Sequence, residues 1–225
     1  MNPEEVKQNM KLLILTGGRI EDSFAAEYIK TYQPEYIIAA DAGMEYCRKR
    51  EIVPDCVVGD FDSVTPETME YFHRQPQIIW KHYRPEKDET DTELAISTAL
   101  EHQASEIHIL GATGTRLDHV IGNIQLLYKA MIRDIPAYIV DANNRICLID
   151  GKKKLKKEEQ YGMYVSILPL TTIVEKITLT GFKYPLDQAT LYSSNTLGVS
   201  NEIVADTGVI EFEEGIAILI ESKDS

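Results

Sequence analysis

Pro54-Asp55-Cys56-Val57-Val58-Gly59-Asp60-Phe61-Asp62-Ser63 sets a short β-branched run against a glycine, then two carboxylates one residue apart and a serine. Val57 and Val58 have the character of a buried strand end, and Gly59 that of the turn leaving it. The acidic part has two readings. Asp and Ser favour turns because their side chains bond nearby backbone. Two carboxylates at this spacing can also converge on one hard cation, and Mg²⁺ takes one or two carboxylates with phosphate oxygens and water completing its shell.

Working outward, residues 1–143 repeat this strand-then-polar-turn pattern. Lys11-Leu12-Leu13-Ile14-Leu15 is a strand ending in Thr16-Gly17-Gly18, and a helix follows with Ala25, Tyr28, Ile29 and Tyr32 on one face. Tyr36-Ile37-Ile38-Ala39-Ala40 is a second strand ending at Asp41-Ala42-Gly43. The opening stretch is the third. Thr65-Pro66-Glu67 starts a helix with proline at its first position, and Gln77-Ile78-Ile79-Trp80 is a fourth strand. Thr90-Asp91-Thr92-Glu93 has the capping-box pattern and opens a helix that buries Ala95, Ile96, Ala99 and Leu100. Glu106-Ile107-His108-Ile109-Leu110 is the fifth strand, ending in Gly111-Ala112-Thr113-Gly114. The helix after it carries Leu117, Val120, Ile121, Ile124, Leu127, Tyr128 and Met131 on one stripe, with Arg116, His119 and Asn123 beside it. Ala137-Tyr138-Ile139-Val140 is the sixth strand.

Strands alternating with helices imply an α/β fold, here a six-stranded, mostly parallel sheet with helices on both faces. Ligands of such sheets bind outside the carboxyl ends of the strands. The polar and glycine residues collect at those ends: Gly17 and Gly18, Asp41, Asp60 and Asp62, the loop before Asp91, the glycines 111 and 114, and Asp141. From 144 to 225 the segments shorten and become β-rich, separated by Gly, Pro, Asp and Asn, which predicts a C-terminal all-β sandwich domain. Glu213-Glu214-Gly215 reads there as a hairpin turn, and the lysine run 152–157 as a solvated strand or linker.

A net charge of −13 argues against a nucleic-acid backbone as partner. A polyanionic substrate on such a chain calls for a bridging metal, whereas a cationic one is attracted. No apolar run approaches the roughly 20 residues of a membrane span. Met1-Asn2-Pro3-Glu4-Glu5 lacks the pattern of a secretory signal. Three cysteines without metal spacing fit a reducing cytoplasm, which is the expected location.

Asp91, at the first helical position after the fourth strand's loop, is explained by the helix dipole alone, yet it lies within reach of the third strand's end. Asp60, Asp62 and Asp91 could form one face of a Mg²⁺ site. Asp41 is either a helix cap or a further carboxylate of that site. Gly17-Gly18 is a tight turn or a phosphate approach, lacking both the GxGxxG and P-loop patterns. The glycine loop 111–114 leads into a helix whose first amides suit phosphate, and Arg116 adds a planar cation. His119 reads first as a half-buried structural histidine, with Asn123 one turn on as support. No GxSxG is present and no cysteine sits in a basic setting, so a covalent nucleophile is not indicated.

Asp41-Ala42-Gly43, Gly59-Asp60-Phe61-Asp62-Ser63, Lys87-Asp88-Glu89-Thr90-Asp91, Gly111-Ala112-Thr113-Gly114-Thr115-Arg116-Leu117-Asp118-His119 with Asn123, and Gly198-Val199-Ser200-Asn201-Glu202 occur in this order. Together they resemble the thiamine pyrophosphokinase family over essentially the whole length. The resemblance implies transfer of pyrophosphate from ATP to the hydroxyl of thiamine, with release of AMP. It implies Mg²⁺ on Asp60, Asp62 and Asp91 as the catalytic set. It implies ATP contacts from Gly17, Gly18, Asp41, Gly111, Thr113, Gly114, Arg116, Asp118 and Asn123. Thiamine would be held by Asp88, Ser200 and Asn201, in a homodimer whose active sites lie between one subunit's α/β domain and the other's β domain. Ala42 stands where relatives often carry glycine, and the only tryptophan, Trp80, lies outside the β domain, where some relatives place an aromatic residue to stack on thiamine. Two alternatives remain: a pyrophosphokinase for another alcohol such as a hydroxymethylpterin, and a non-catalytic nucleotide- or thiamine-binding protein.

Overall fold

The computed structural model describes residues 10–84, 86, 88–114 and 116–224, so Lys87 and Thr115 of the segments singled out above lie outside the described residues. The chain forms two compact units, Met1–Ala142 and Asn143–Ser225.

In the first unit β1 (Lys11–Leu15), α1 (Asp22–Tyr32), β2 (Tyr36–Ala40), α2 (Gly43–Lys49), β3 (Cys56–Gly59), α3 (Pro66–His73), β4 (Ile79–His82), α4 (Asp91–Glu101), β5 (Glu106–Leu110), α5 (Leu117–Leu126), α6 (Tyr128–Met131) and β6 (Ala137–Val140) follow one another. The strands lie in the order β6-β5-β1-β2-β3-β4, and every neighbouring pair is parallel. Leu12, Leu13, Ile14 and Leu15 are all wholly buried. Consecutive rather than alternating burial means that both faces of β1 are covered. α2 packs on β1 and β2 and touches α3, whereas α4 packs on β1, β2 and β3 and touches α5 and α6. Right-handed crossovers send these two groups to opposite faces, because the chain turns back across the sheet after β4. Thr90 caps α4, its hydroxyl accepting from Glu93 N at 3.2 Å.

Two elements differ from expectation. β4 begins two residues late, at Ile79, because a turn closed by Ile78 N on Gln75 O (3.3 Å) takes up Pro76 and Gln77. The helix after Thr115 divides into α5 and α6, and its apolar stripe is only partly buried: Leu117 is 72% exposed and Ile121 58%, while Leu127 of the same stripe is buried. Asn123, from the neighbouring stripe, is buried as well. Asn123 Nδ2 donates to Ala112 O at 2.8 Å, and that buried bond fixes the helix's rotation.

The second unit contains β7 (Asn144–Ile149), β8 (Lys153–Lys156), a 3₁₀ turn (Lys157–Glu159), β9 (Tyr164–Pro169), β10 (Ile173–Thr180), β11 (Leu186–Tyr192), β12 (Asn201–Glu202), β13 (Thr207–Glu211) and β14 (Ala217–Ser222). β12, β9, β14 and β7 make one antiparallel array and β11, β10, β13 and β8 the other, a β-sandwich. The lysine run forms β8, with Leu155 buried and Lys154 and Lys156 exposed. Glu213-Glu214-Gly215 is not a hairpin turn. β13 and β14 belong to different sheets, so this segment carries the chain across the sandwich, and Glu214 bridges instead to Glu175 of β10.

Across the β7–β14 ladder Arg145 faces Glu221, whose residue is only 4% exposed. Arg145 reaches both carboxylate oxygens (2.7 and 3.0 Å), and Tyr161 N donates to Oε2 at 3.1 Å. A buried carboxylate so supplied is costly to strand. Arg145→Ala should therefore destabilise the chain by about 3 kcal/mol, the low end for a buried pair because the guanidinium keeps some exposure. Equilibrium urea denaturation followed by circular dichroism measures this; an unshifted midpoint would show that the pair contributes nothing.

Candidate active site

The strand order reverses between β1 and β5, so the loops leaving their carboxyl ends diverge and leave a crevice there. A cavity of about 840 Å³ occupies that position. Its walls come from the ends of five strands, the sixth strand's Asp141 lying outside them: Gly17, Gly18 and Arg19 after β1, Asp41 and Ala42 after β2, Asp60 and Ser63 after β3. Glu89 and Thr90 line it before α4 and Asp91 at the helix's first residue, with the loop 111–114 after β5, and Arg116, His119 and Asn123 around α5.

The loops after β1 and β5 meet backbone to backbone. Thr16 N donates to Leu110 O at 2.9 Å. A Cβ placed on Gly18 would sit 2.1 Å from Gly111 O and 2.6 Å from Thr113 O. Only glycine permits that approach, whatever its own φ.

At the other wall, Asp41, Asp60 and Asp91 each bring a carboxylate oxygen within 4.8 Å of the others, all three half-buried. Gly59 makes room for them: at φ +149°, a Cβ there would lie 3.3 Å from Asp91 Oδ1 and 3.4 Å from Asp41 Cβ. Among the described residues, Asp41 Oδ1 is buried without a hydrogen-bond partner. Burial pushes the Asp41 carboxyl above its usual range, and the charges of Asp91 and Asp62 push the same way. An orphaned carboxylate oxygen inside an all-oxygen, multiply acidic set fits a hard divalent cation such as Mg²⁺. Asp62 stands apart: it is exposed, it does not line the cavity, and its Oδ1 accepts from Ser63 Oγ at 2.9 Å. Its backbone N donates to Asp60 Oδ1 at 3.2 Å, so it orients the neighbouring carboxylate.

Between the two aspartates, Phe61 adopts φ +63° and is 6% exposed. A left-handed conformation costs a bulky residue about 1–3 kcal/mol. Burying its ring contributes roughly 1.5–3 kcal/mol, enough to offset that.

On the α5 side Arg116 grips Asp118 through Nε (3.2 Å) and Nη2 (2.6 Å), and His119 N donates to Asp118 Oδ1 at 3.0 Å. The Arg116 hydrogen bond holds the Asp118 carboxyl below its usual range. Asp118 itself is outside the cavity lining and serves to aim Arg116. His119 is exposed at the cavity rather than packed on the sheet edge. Asn123 lines the cavity, but its amide nitrogen is committed to the Ala112 carbonyl. Asp88 is exposed and outside the lining.

Ser200 and Asn201 belong to the second unit. Ser200 is exposed at φ +57°, its N donating to Ser166 Oγ at 3.0 Å. Asn201 is buried with both ends of its amide engaged: Oδ1 accepts from Tyr184 N (3.0 Å) and Glu202 N (2.9 Å), and Nδ2 donates to Tyr184 O (2.7 Å). Arg19, Ser63, Glu89 and Thr90 also line the cavity, though sequence reasoning did not single them out as site residues. For Arg19 a signal existed, a cation directly after the glycine pair at a strand end.

Comparison with known proteins agrees with this geometry. A family model described as the thiamin pyrophosphokinase catalytic domain matches residues 28–139, and one described as the thiamin pyrophosphokinase vitamin B1 binding domain matches 152–217. Thiamine pyrophosphokinase of Bacillus subtilis (strain 168) is 38% identical over 188 residues, which span 83% of this chain and 87% of that protein. The crystal structure of thiamine pyrophosphokinase from Bacillus subtilis matches with a TM-score of 0.86 at 34% identity, covering 96% of this chain and all of that one. Yeast thiamin pyrophosphokinase, at 14% identity and a TM-score of 0.81 over 97% of this chain and 88% of its own, shares the fold.

Gly18→Ala should force the two glycine loops apart. The expected cost is about 1–3 kcal/mol of stability, the usual range for overpacking. Urea denaturation midpoints test this; a wild-type midpoint would refute the close approach.

Proposed function

From the premise that the chain belongs to the thiamin pyrophosphokinase family, we propose that it catalyses Mg²⁺-dependent pyrophosphoryl transfer from ATP to the hydroxyl of thiamine, giving thiamine diphosphate and AMP. The observation that carries this reading is the convergence of Asp41, Asp60 and Asp91 on one wall of a switch-point cavity whose other wall is two interlocked glycine loops with Arg19 and Arg116. That is a site for a metal and a polyphosphate side by side.

In the proposed reaction the thiamine hydroxyl oxygen attacks the β-phosphorus of ATP. The new O–P bond forms as the bond from the β-phosphorus to the α–β bridging oxygen breaks, and AMP leaves with that oxygen. The alcohol's proton passes to a carboxylate of the cluster. Asp41, Asp60 and Asp91 would hold Mg²⁺, which when bound neutralises phosphate oxygens as charge moves toward AMP. The glycine loops bring backbone N–H groups close to the phosphates, and the guanidinium of Arg116, aimed by Asp118, meets their oxygens. Positioning of this kind supplies most of what phosphoryl transfer needs. Asp62 orients Asp60 through its backbone and bears on the metal indirectly.

Thiamine carries a fixed positive charge, which an acidic cavity attracts. Ser200, the backbone around Asn201, and Asp88 are assigned to thiamine, the first two from the partner subunit of a homodimer. Three buried free thiols suit a cytoplasmic location, and no described helix is long and apolar enough to cross a membrane.

The test is AMP release from ATP and Mg²⁺ with thiamine, or with a hydroxymethylpterin in its place. Thiamine-dependent release is expected. Asp60→Asn and Asp91→Asn should lower kcat/KM by roughly 100-fold or more, the scale of losing several kcal/mol of charge stabilisation. Asp62→Asn should cost less than about 10-fold, since an indirect partner matters less than a ligand. No thiamine-dependent AMP from the wild type, or pterin turnover in its place, would overturn the assignment.

A further inference from the structure

We propose that Phe61 is a positioning residue for Asp60, setting the metal-binding carboxylate through a ring contact with Trp80 and without touching substrate. The inference rests on the metal-site reading above. Phe61 lies between two aspartates in a backbone conformation that its side chain disfavours. Something must hold it there, and the contacts are specific. Its ring meets the Trp80 ring edge-on at 5.3 Å and 70°, and the His82 ring at 5.5 Å. Trp80 is clamped from another side, where His73 stacks on it at 4.3 Å and 18°. His73 is the last residue of α3 and Trp80 lies on β4, so the segment that begins with the acidic loop returns to pack against it.

The far end of the loop is fixed independently. Glu45 of α2 accepts from Thr65 N at 2.7 Å and from Thr68 Oγ1 at 2.8 Å, which anchors the start of α3. Tyr83 N donates to Gly59 O at 3.0 Å and ties the end of β3 to β4. Between these anchors, the direction of the Asp62 N–H follows from the Phe61 backbone, and that N–H holds Asp60 Oδ1. A ring that pins the Phe61 backbone therefore sets where one ligand oxygen sits.

Glycine and tyrosine separate this role from space filling. Phe61→Gly accepts the left-handed conformation freely but has no ring. Phe61→Tyr keeps the ring. The readout is Mn²⁺ binding by electron paramagnetic resonance in the presence of a non-hydrolysable ATP analogue, with circular dichroism as the check of folding. Phe61→Gly should weaken Mn²⁺ binding about 10-fold or more, the scale for losing an outer partner of a metal ligand. Phe61→Tyr should bind within about 3-fold of wild type, and metal-free nucleotide affinity should stay unchanged in both. Trp80, the only tryptophan in the chain, should emit further to the red in the glycine variant. If Phe61→Gly does not fold, Phe61→Leu takes its place, with the same expected loss. Wild-type Mn²⁺ affinity in the ringless variant, or a tyrosine variant as weak as it, overturns the inference and leaves the metal site standing. A wild type that binds no Mn²⁺ overturns both.

Discussion

Like charges at short range oppose the arrangement on which this site depends. Three half-buried carboxylates bring oxygens within 4.8 Å of one another, and burial, with the charges of Asp91 and Asp62 behind it, pushes the Asp41 carboxyl above its usual range. Side-chain choice alone does not hold such a group together. Separate backbone devices do: a parallel ladder that ends in step, with Asp41 N bonded to Val58 O at 2.9 Å, a glycine that leaves space between two aspartates, and a capped helix that delivers Asp91. Each device belongs to a different strand end, so the repulsion is distributed over the whole sheet edge. A sheet whose strands all run the same way is what lets several such ends meet.

The two walls of the cavity are built on opposite principles. On the acidic wall, side chains converge and backbone is kept back. On the glycine wall, backbones converge and side chains are excluded, as the 2.1 Å approach of a would-be Cβ at Gly18 to Gly111 O makes plain. The first arrangement suits a cation and the second an anion. Their adjacency is a consequence of strand order, because β1 and β5 part company where the sheet changes direction.

The parallel sheet was legible because short apolar runs alternated with helical periods, most strands gave way to glycine or aspartate, and two helices carried start signals, at Thr90 and at Thr65 with Pro66. What local pattern could not distinguish was the partner of a turn. Glu213-Glu214-Gly215 has the composition of a hairpin, but composition describes only the bend, and here the chain leaves one sheet for the other. The stripe from Leu117 to Met131 has helical period, yet Leu117, Ile121 and Tyr128 are exposed and Leu127 is buried, while Asn123 of the neighbouring stripe is buried and bonds Ala112 O. In the acidic loop, one-residue spacing made Asp60 and Asp62 look like equal partners. The left-handed turn at Phe61 separates them, and Asp41, distant in sequence, lies in the cluster with Asp60 and Asp91. Nothing in spacing encodes a positive φ at a phenylalanine.

Cys47, Cys56 and Cys147 are all buried, and desolvation pushes their thiols up to about 12, 11 and 11. A thiol reagent at neutral pH meets neither an accessible sulfur nor a thiolate. The native thiols should therefore react slowly with maleimides and iodoacetamides while the chain stays folded. A single cysteine introduced on the cavity rim would be its sole reactive handle, so a spectroscopic label could be placed there without first removing any natural residue.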